Sequence, residues 1–379
     1  MTGGLVTSPS VGFGFLGAGN IARTALGPAV HAADGAHLQA AAARDASRAA
    51  ALEPAGRSFN DYAALLGDAT VDVVYVSLAN DAHAPWTIAA LEAGKHVLCE
   101  KPLGLDPAEV SRMHDAAAAA DRLLVEAWFY RWHPRTLRAI ELVTSGAIGR
   151  VTRVETEFSF DGDFTGQAAG NYRLDAGKGG GAMYDVGCYA VDAARWALGA
   201  GALEVRSAEG DVRSGVDVRA SAHLGGPDGT VADVRCGIRG REEQLVAVYG
   251  EDATLVLGRP AFAAKDVVCA LHMVPVTPSF APEPSAEAQP FPDGRFEPVD
   301  GPAEPVVVPT EPVIVRADRR TEEFAPVDPY RLMVEAVSRA VRGHDEWLPT
   351  AQDSLDIALV LEQVRTKVHA QVHAQADAG

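Results

Sequence analysis

The feature that most constrains this chain is the hexapeptide Gly17-Ala18-Gly19-Asn20-Ile21-Ala22, which directly follows the apolar run Val11 to Leu16 and opens a helical stretch, Asn20 to Ala32. A glycine-led turn between a buried strand and a helix is a phosphate-binding device. Gly17 permits the tight turn, Gly19 lets backbone approach a pyrophosphate, and Ala22 keeps the helix close to the sheet. The helix start supplies free N–H groups and positive potential for the anion. Short apolar runs then alternate with helical stretches: His37 to Ala43, Val71 to Leu78 and Val97 to Cys99 read as further strands, and Pro85 to Ala93 as a crossover helix with Gly94 at its end. This predicts a doubly wound Rossmann domain over 11–125, after a disordered tail at 1–10.

Past Arg150 the apolar period becomes two. Val154, Thr156, Phe158 and Phe160 share one face, with Arg153, Glu155, Glu157 and Ser159 on the other. Val218, Ala220, Ala222 and Leu224 repeat the pattern, as do Ala232, Val234, Cys236 and Ile238. Such strands predict an α/β domain over 126–369 built on an open, predominantly antiparallel sheet, one face on helices and one wet. The wet face is a candidate homo-oligomer interface, solvation being the alternative. From Pro260 to Pro329 lies more than half of the chain's 23 prolines. The segment reads as a long irregular excursion whose only β-like runs are Val306 to Val308 and Val313 to Val315. Helical periodicity returns over Tyr330 to Val341 and Ala351 to Val368, and 370–379 reads as a frayed tail.

A chain of 379 residues exceeds what one core usually fills. Its formal charge of -18 argues against a nucleic-acid partner, which needs clustered Lys and Arg. Cys99, Cys188, Cys236 and Cys269 are too scattered for a metal site or a disulfide scaffold, so no metal and a reducing cytoplasm are expected. No stretch has the length of a membrane span, and none has the layout of an export signal.

The candidate site gathers on the carboxyl edge of the first sheet. The second strand ends Ala43-Arg44-Asp45, where a small residue and an arginine leave room and countercharge for a 2'-phosphate. NADP is therefore expected over NAD, the alternative being that Asp45 itself reaches the ribose. Leu78, Asn80 and His83 follow the next strand, where a nicotinamide ribose would pass, and Glu100-Lys101-Pro102 follows the one after. In the second domain Gly179-Gly180-Gly181 leads a helix in which Asp185, Tyr189, Asp192 and Trp196 share a face through spacings of four, three and four. Gly187 inside that helix implies close packing. Hydride transfer from a hydroxyl requires a base, and tyrosine serves only if its pKa of about 10 falls. A lysine ammonium about 4 Å away gives about 4 kcal/mol at an effective dielectric of about 20, and Lys101 is the expected cation.

These ordered motifs resemble those of the Gfo/Idh/MocA oxidoreductases. The resemblance runs through the Gly17 turn, Asn80 and His83, Val97 to Pro102, Glu126 to Pro134, Gly179 to Gly199 and Asp328 to Arg331. It implies a nicotinamide cofactor between the two domains. Tyr189 matches the proposed acid/base of the branch containing dihydrodiol dehydrogenases, NADP-dependent aldose dehydrogenases and glucose-fructose oxidoreductase, with Lys101 as its partner. Asp185 would hold a neighbouring hydroxyl. Cofactor contacts are expected from Gly17, Gly19, Asn20, Ile21, Arg44, Leu78, Asn80, His83, Glu100 and Lys101, and the resemblance adds Arg131, Arg173 and Tyr330. The implied substrate is a small sugar, polyol or cyclic diol. Two rivals on the same scaffold are a non-catalytic NADP-binding regulator and an enzyme that uses bound NAD during glycoside cleavage.

Overall fold

The structure is a computed structural model that describes residues 10–162, 171–199, 201–276 and 319–377. Its first six strands are β1 (Val11–Leu16), β2 (Ala36–Ala42), β3 (Arg57–Phe59), β4 (Val73–Val76), β5 (His96–Cys99) and β6 (Leu124–Glu126). They form a parallel sheet in the order β3-β2-β1-β4-β5-β6. The connecting helices are α1 (Gly27–Ala32), entered through a π-helical turn at Ala22–Leu26, then α2 (Ala46–Ala50), α3 (Tyr62–Leu66), α4 (His83–Glu92) and α5 (Pro107–Ala120). The order in which successive strands are added reverses between β1 and β4, so the Gly17 turn sits at the switch point where such sheets leave a crevice. Phe13, Phe15, Tyr75 and Leu98 belong to one buried cluster, and Leu16, Val74, Val76 and Val97 to another. Burial on both faces explains why these strands read as continuous apolar runs.

The second sheet comprises β7 (Val151–Ser159), β8 (Glu204–Arg213), β9 (Val216–Gly225), β10 (Val231–Gly237), β11 (Glu243–Gly250), β12 (Ala253–Leu257), β13 (Cys269–Pro275) and β14 (Arg320–Phe324). Their order is β14-β13-β12-β11-β7-β10-β9-β8. Only β7 and β10 run parallel. The expected faces hold: Val154, Val218, Ala220, Ala222, Leu224, Ala232, Val234 and Ile238 are buried, and Arg153 is exposed. The chain enters this domain through α6 (Pro134–Thr144). The buried face packs on α7 (Cys188–Leu198), which follows a second π-helical turn at Met183–Gly187. Two closing helices, α8 (Pro329–Val341) and α9 (Ala351–Asp377), pack back toward the first domain. Asp34 donates its N–H to Glu335 on α8, and α9 lies against both α5 and β8.

Two expectations are corrected here. The segment from Pro260 is not irregular throughout, because β13 and β14 pair antiparallel and extend the sheet. Their side chains alternate, but the surrounding prolines hid that. The runs Val306 to Val308 and Val313 to Val315 lie outside the described residues, as does the tail at 1–9. The tail expected from 370 is instead helical through Asp377. No helix of the described residues is long and apolar enough to cross a membrane.

Candidate active site

A cleft of about 390 Å³ opens between the two sheets. Its lining includes Gly19, Asn20, Ile21, Leu78, Asn80, His83, Glu100, Lys101, Arg173, Asp185, Tyr189 and Tyr330, so most of the expected site residues converge. Gly17 and Arg44 lie outside this lining. Gly17 has φ +101°, and a β-carbon there would meet the Ser77 carbonyl at 2.5 Å, so the turn itself demands glycine. Gly19 differs: a β-carbon would find nothing of the protein nearer than 3.9 Å. Internal packing does not explain that glycine. A ligand approaching from the cleft does, which is the fit a dinucleotide pyrophosphate requires.

Arg44 is exposed at the end of β2. Asp45 beside it accepts the N–H and hydroxyl of Ser47 as the cap of α2, at 2.9 and 2.8 Å. One of its two carboxylate oxygens is thus engaged in capping α2. Sequence reasoning missed Arg48, whose guanidinium donates to the Ala18 carbonyl at 2.8 Å and braces the glycine turn from the neighbouring helix. A second arginine four residues after Arg44 was the available signal.

Behind the crevice, Asn80 donates to the Gly179 carbonyl at 2.8 Å, tying the first domain to the glycine-led loop of the second. His83 is buried, with Nδ1 2.9 Å from the Pro102 carbonyl. Burial pushes its pKa down to about 4, so the ring is neutral. Its buried Nε2 makes no well-formed hydrogen bond, with the Leu78 backbone the nearest acceptor, and His83 lines the cleft. Glu100 accepts from the Tyr75 hydroxyl at 2.6 Å.

Asp185 joins two cations. Arg173 Nε donates to one carboxylate oxygen at 2.6 Å, and Lys101 Nζ lies 3.6 Å from the other while donating to the Asp185 carbonyl at 2.5 Å. Burial alone would raise the Asp185 pKa, yet Lys101 and Arg173 outweigh it and hold the carboxyl below its ordinary value. For Lys101, burial pulls the ammonium down, but Cys188, Asp185, Tyr172 and Glu100 together leave it raised. Lys101 is therefore a cation at neutral pH.

Tyr189 projects from the same helix, and Lys101 Nζ stands 4.9 Å from its ring centroid. The ring sits in an aromatic box of Trp128, Phe129, Tyr130, Phe158 and Phe262, with centroid separations of 5.4 to 5.9 Å. The expected lowering of its pKa is overturned. Burial first, then Tyr330, Glu100, Cys188 and Asp185, push the phenol well above its usual value. Lys101 faces the ring while its protons engage Asp185.

Two further corrections concern neighbouring residues. Arg131 does not line the cleft. Its guanidinium pairs with Asp192 at 2.8 Å and packs on the Trp347 ring, because Asp192 also accepts the Tyr130 hydroxyl and draws that turn into the core. The single helical face expected for Asp185, Tyr189, Asp192 and Trp196 also divides. Asp192 and Trp196 both bond the Tyr130 hydroxyl, while Asp185 and Tyr189 line the cleft. Gly187 is accounted for by packing, since a β-carbon would meet Met183 and Cys236 sulfurs at 2.9 and 3.0 Å.

Tyr330 stacks on Phe129 with centroids 4.1 Å apart. Tyr172, Phe129, Phe158, Phe160 and Ala263, with Ser77 and Val186, complete the lining and were not assigned to the site from sequence. Period-two alternation marked Phe158 and Phe160 as inward-facing, but not that the inner face opens there. Ala263 belongs to the proline-rich segment and carried no signal.

Comparison with known proteins agrees with this architecture. A family model described as the GFO_IDH_MocA oxidoreductase family, NAD-binding Rossmann fold, matches residues 11–127, and the GFO/IDH/MocA C-terminal domain matches residues 136–256. A D-xylose 1-dehydrogenase (NADP(+)) of Haloferax volcanii is 35% identical over 93% of this chain and 95% of its own. A trans-1,2-dihydrobenzene-1,2-diol dehydrogenase of Mus musculus is 33% identical over 56% of this chain and 63% of its own. Among solved structures, a 3-ketoreductase from Actinomadura kijaniata in complex with NADP and TDP-benzene superposes with a TM-score of 0.76 at 26% identity, covering 95% of this chain and 98% of that one.

Proposed function

The chain belongs to the GFO/IDH/MocA oxidoreductase family, and from that premise we propose that it is an NADP-dependent oxidoreductase interconverting a hydroxyl and a carbonyl on a small sugar, polyol or cyclic diol. The observation that carries this reading is the convergence of Lys101, Asp185 and Tyr189 from two domains on a cleft that begins at the Gly19 turn. The bound dinucleotide supplies hydride exchange at its nicotinamide.

The protein's own groups handle the proton. A phenol held above its ordinary pKa stays protonated at neutral pH, so Tyr189 is set to donate to a developing alkoxide as a carbonyl is reduced. In the reverse direction it accepts the hydroxyl proton, and the Lys101 cation beside it stabilises the resulting phenolate. Asp185, fixed between Lys101 and Arg173, retains lone pairs for a neighbouring substrate hydroxyl. Phe158, Phe160, Tyr172 and Tyr330 offer aromatic faces suited to the C–H faces of a sugar ring. The exposed Arg44 supplies the countercharge for a 2'-phosphate.

The reading includes a homo-oligomer formed through the outer face of the eight-stranded sheet. That face carries both signs of charge, among them Arg153 beside Asp233 and Arg219 beside Asp211, so two copies could meet there without a single-sign clash. A cytoplasmic location is supported by four free, buried cysteines. A monomer by light scattering would remove the first of these claims.

The test is a screen of pentoses, hexoses, inositols and trans-dihydrodiols with NADP and NAD, followed at the nicotinamide absorbance. Reduced NADP should accumulate with at least one sugar or diol. Cofactor binding without turnover would favour a regulator, and product without net reduced cofactor would favour glycoside cleavage.

A further inference from the structure

Glu126 ends β6 and lies outside the cleft lining, and the chemistry above makes no use of it. Its side chain is 3% exposed. The carboxylate nonetheless takes two hydrogen bonds from distant parts of the chain: the Leu103 N–H donates to Oε1 at 2.8 Å, and the Ser354 hydroxyl donates to Oε2 at 2.6 Å. Leu103 stands two residues after Lys101. Ser354 lies in the first turns of α9, and that same helix carries Arg365, whose Nε donates to Asp217 at 3.2 Å. Asp217 in turn accepts the Met183 N–H at 2.7 Å, at the start of the helix bearing Asp185 and Tyr189. Both sides of the cleft are thus referenced to α9.

We infer that Glu126 is a positioning residue for Lys101: it ties the backbone that follows the lysine to the helix that also braces Asp185 and Tyr189, keeping ammonium and phenol in register across the cleft. Volume alone does not account for a carboxyl here. An apolar side chain would fill the space without the cost of desolvating an acid, and burial raises the pKa of Glu126 to about 7 even against the hydrogen bonds from Ser354 and Leu103. Glutamine can serve both partners, its carbonyl accepting from Leu103 and its amide donating to the Ser354 oxygen. Alanine serves neither.

The inference rests on the proposed oxidoreductase activity, and the test separates the two. Glu126→Ala is expected to lower kcat by about 30-fold with the NADPH dissociation constant within about threefold of wild type, because the Gly17 turn is untouched. Glu126→Gln should stay within about threefold in kcat, and Ser354→Ala should lose about fivefold. Equal losses in the Gln and Ala variants, or full kcat in a folded Glu126→Ala, overturn the inference. If Glu126→Ala does not fold, the other two variants decide, and full kcat in Ser354→Ala overturns it. A crystal structure of Glu126→Ala, or of Ser354→Ala in its place, reads the position directly. Lys101 Nζ should leave the Asp185 carbonyl, and retention of that hydrogen bond refutes the positioning role whether or not a substrate is known. A wild type that turns over no sugar or diol refutes the activity instead.

Discussion

The two ends of the crevice hold charge in opposite ways. At the phosphate end, backbone geometry does the shaping: Gly17 makes the turn, Gly19 leaves it open, and the arginines beside it are exposed. At the reaction end, Asp185 and Tyr189 are buried, Lys101 is nearly so, and the three engage one another. Solvated charges at the first end are screened by salt and contribute modestly to affinity, whereas desolvated ones at the second act at full strength on developing charge. The difference teaches that cofactor recognition and chemistry are separable in this protein, and substitutions should divide accordingly.

The largest effect is expected from Lys101→Met, which removes the cation facing the Tyr189 ring. Nζ stands 4.9 Å from the ring centroid and is shared with Asp185, so the roughly 3 kcal/mol of an isolated charge at an effective dielectric of about 20 is an upper bound, and kcat should fall by up to about two orders of magnitude. Steady-state kinetics at saturating NADP measures this, and the loss should persist in high salt. A loss that appears only in KM would erase the distinction between the two ends.

A comparable but pH-dependent effect concerns the buried carboxyl behind Lys101. Its pKa of about 7 in the folded protein lies above the ordinary 4.5. The stability it contributes is therefore fully present below pH 4.5 and is lost as pH rises through 7, a cost approaching about 3 kcal/mol. Thermal melts from pH 5 to 8 should show the wild type losing stability relative to Glu126→Gln. Parallel curves would mean that the carboxyl is not desolvated as described.

Gly17→Ala should act at the other end. The added β-carbon meets the Ser77 carbonyl at 2.5 Å in a backbone conformation that disfavours side chains, so the turn must shift. NADP affinity should fall by about 100-fold, read by fluorescence titration, while kcat at saturation changes by less than about threefold. The smallest effect belongs to Arg44→Ala, which should weaken NADP by about tenfold, leave NAD unchanged, and lose its influence as salt is raised. An equal effect on both cofactors would remove the 2'-phosphate assignment.

Much of this was legible in the sequence where one local rule decides the outcome. Buried parallel strands announce themselves as apolar runs, which is why β1, β4 and β5 read clearly. The glycine turn was readable because strand, turn and helix are contiguous. Strands β3 and β6, three residues each, are too short for periodicity to mark. The pairing of β13 with β14 joins segments on either side of the undescribed residues 277–318, and no local pattern specifies such a partner. At the site, residue types were readable and their electrostatics were not. Lys101 and Tyr189 do converge, but the direction of the phenol's pKa depends on burial among aromatic rings contributed by three other stretches of chain. The pairing of Arg131 with Asp192 was unreadable for the same kind of reason, since the two lie 61 residues apart.

The central claim is that Tyr189 exchanges the substrate proton at the reaction end while the phosphate end binds cofactor independently. Single-turnover hydride transfer in Tyr189→Phe tests it most directly, at saturating NADP and with the best substrate from the screen. The account predicts a rate lower by about three orders of magnitude with the cofactor dissociation constant unchanged. A rate equal to that of the wild type would contradict it.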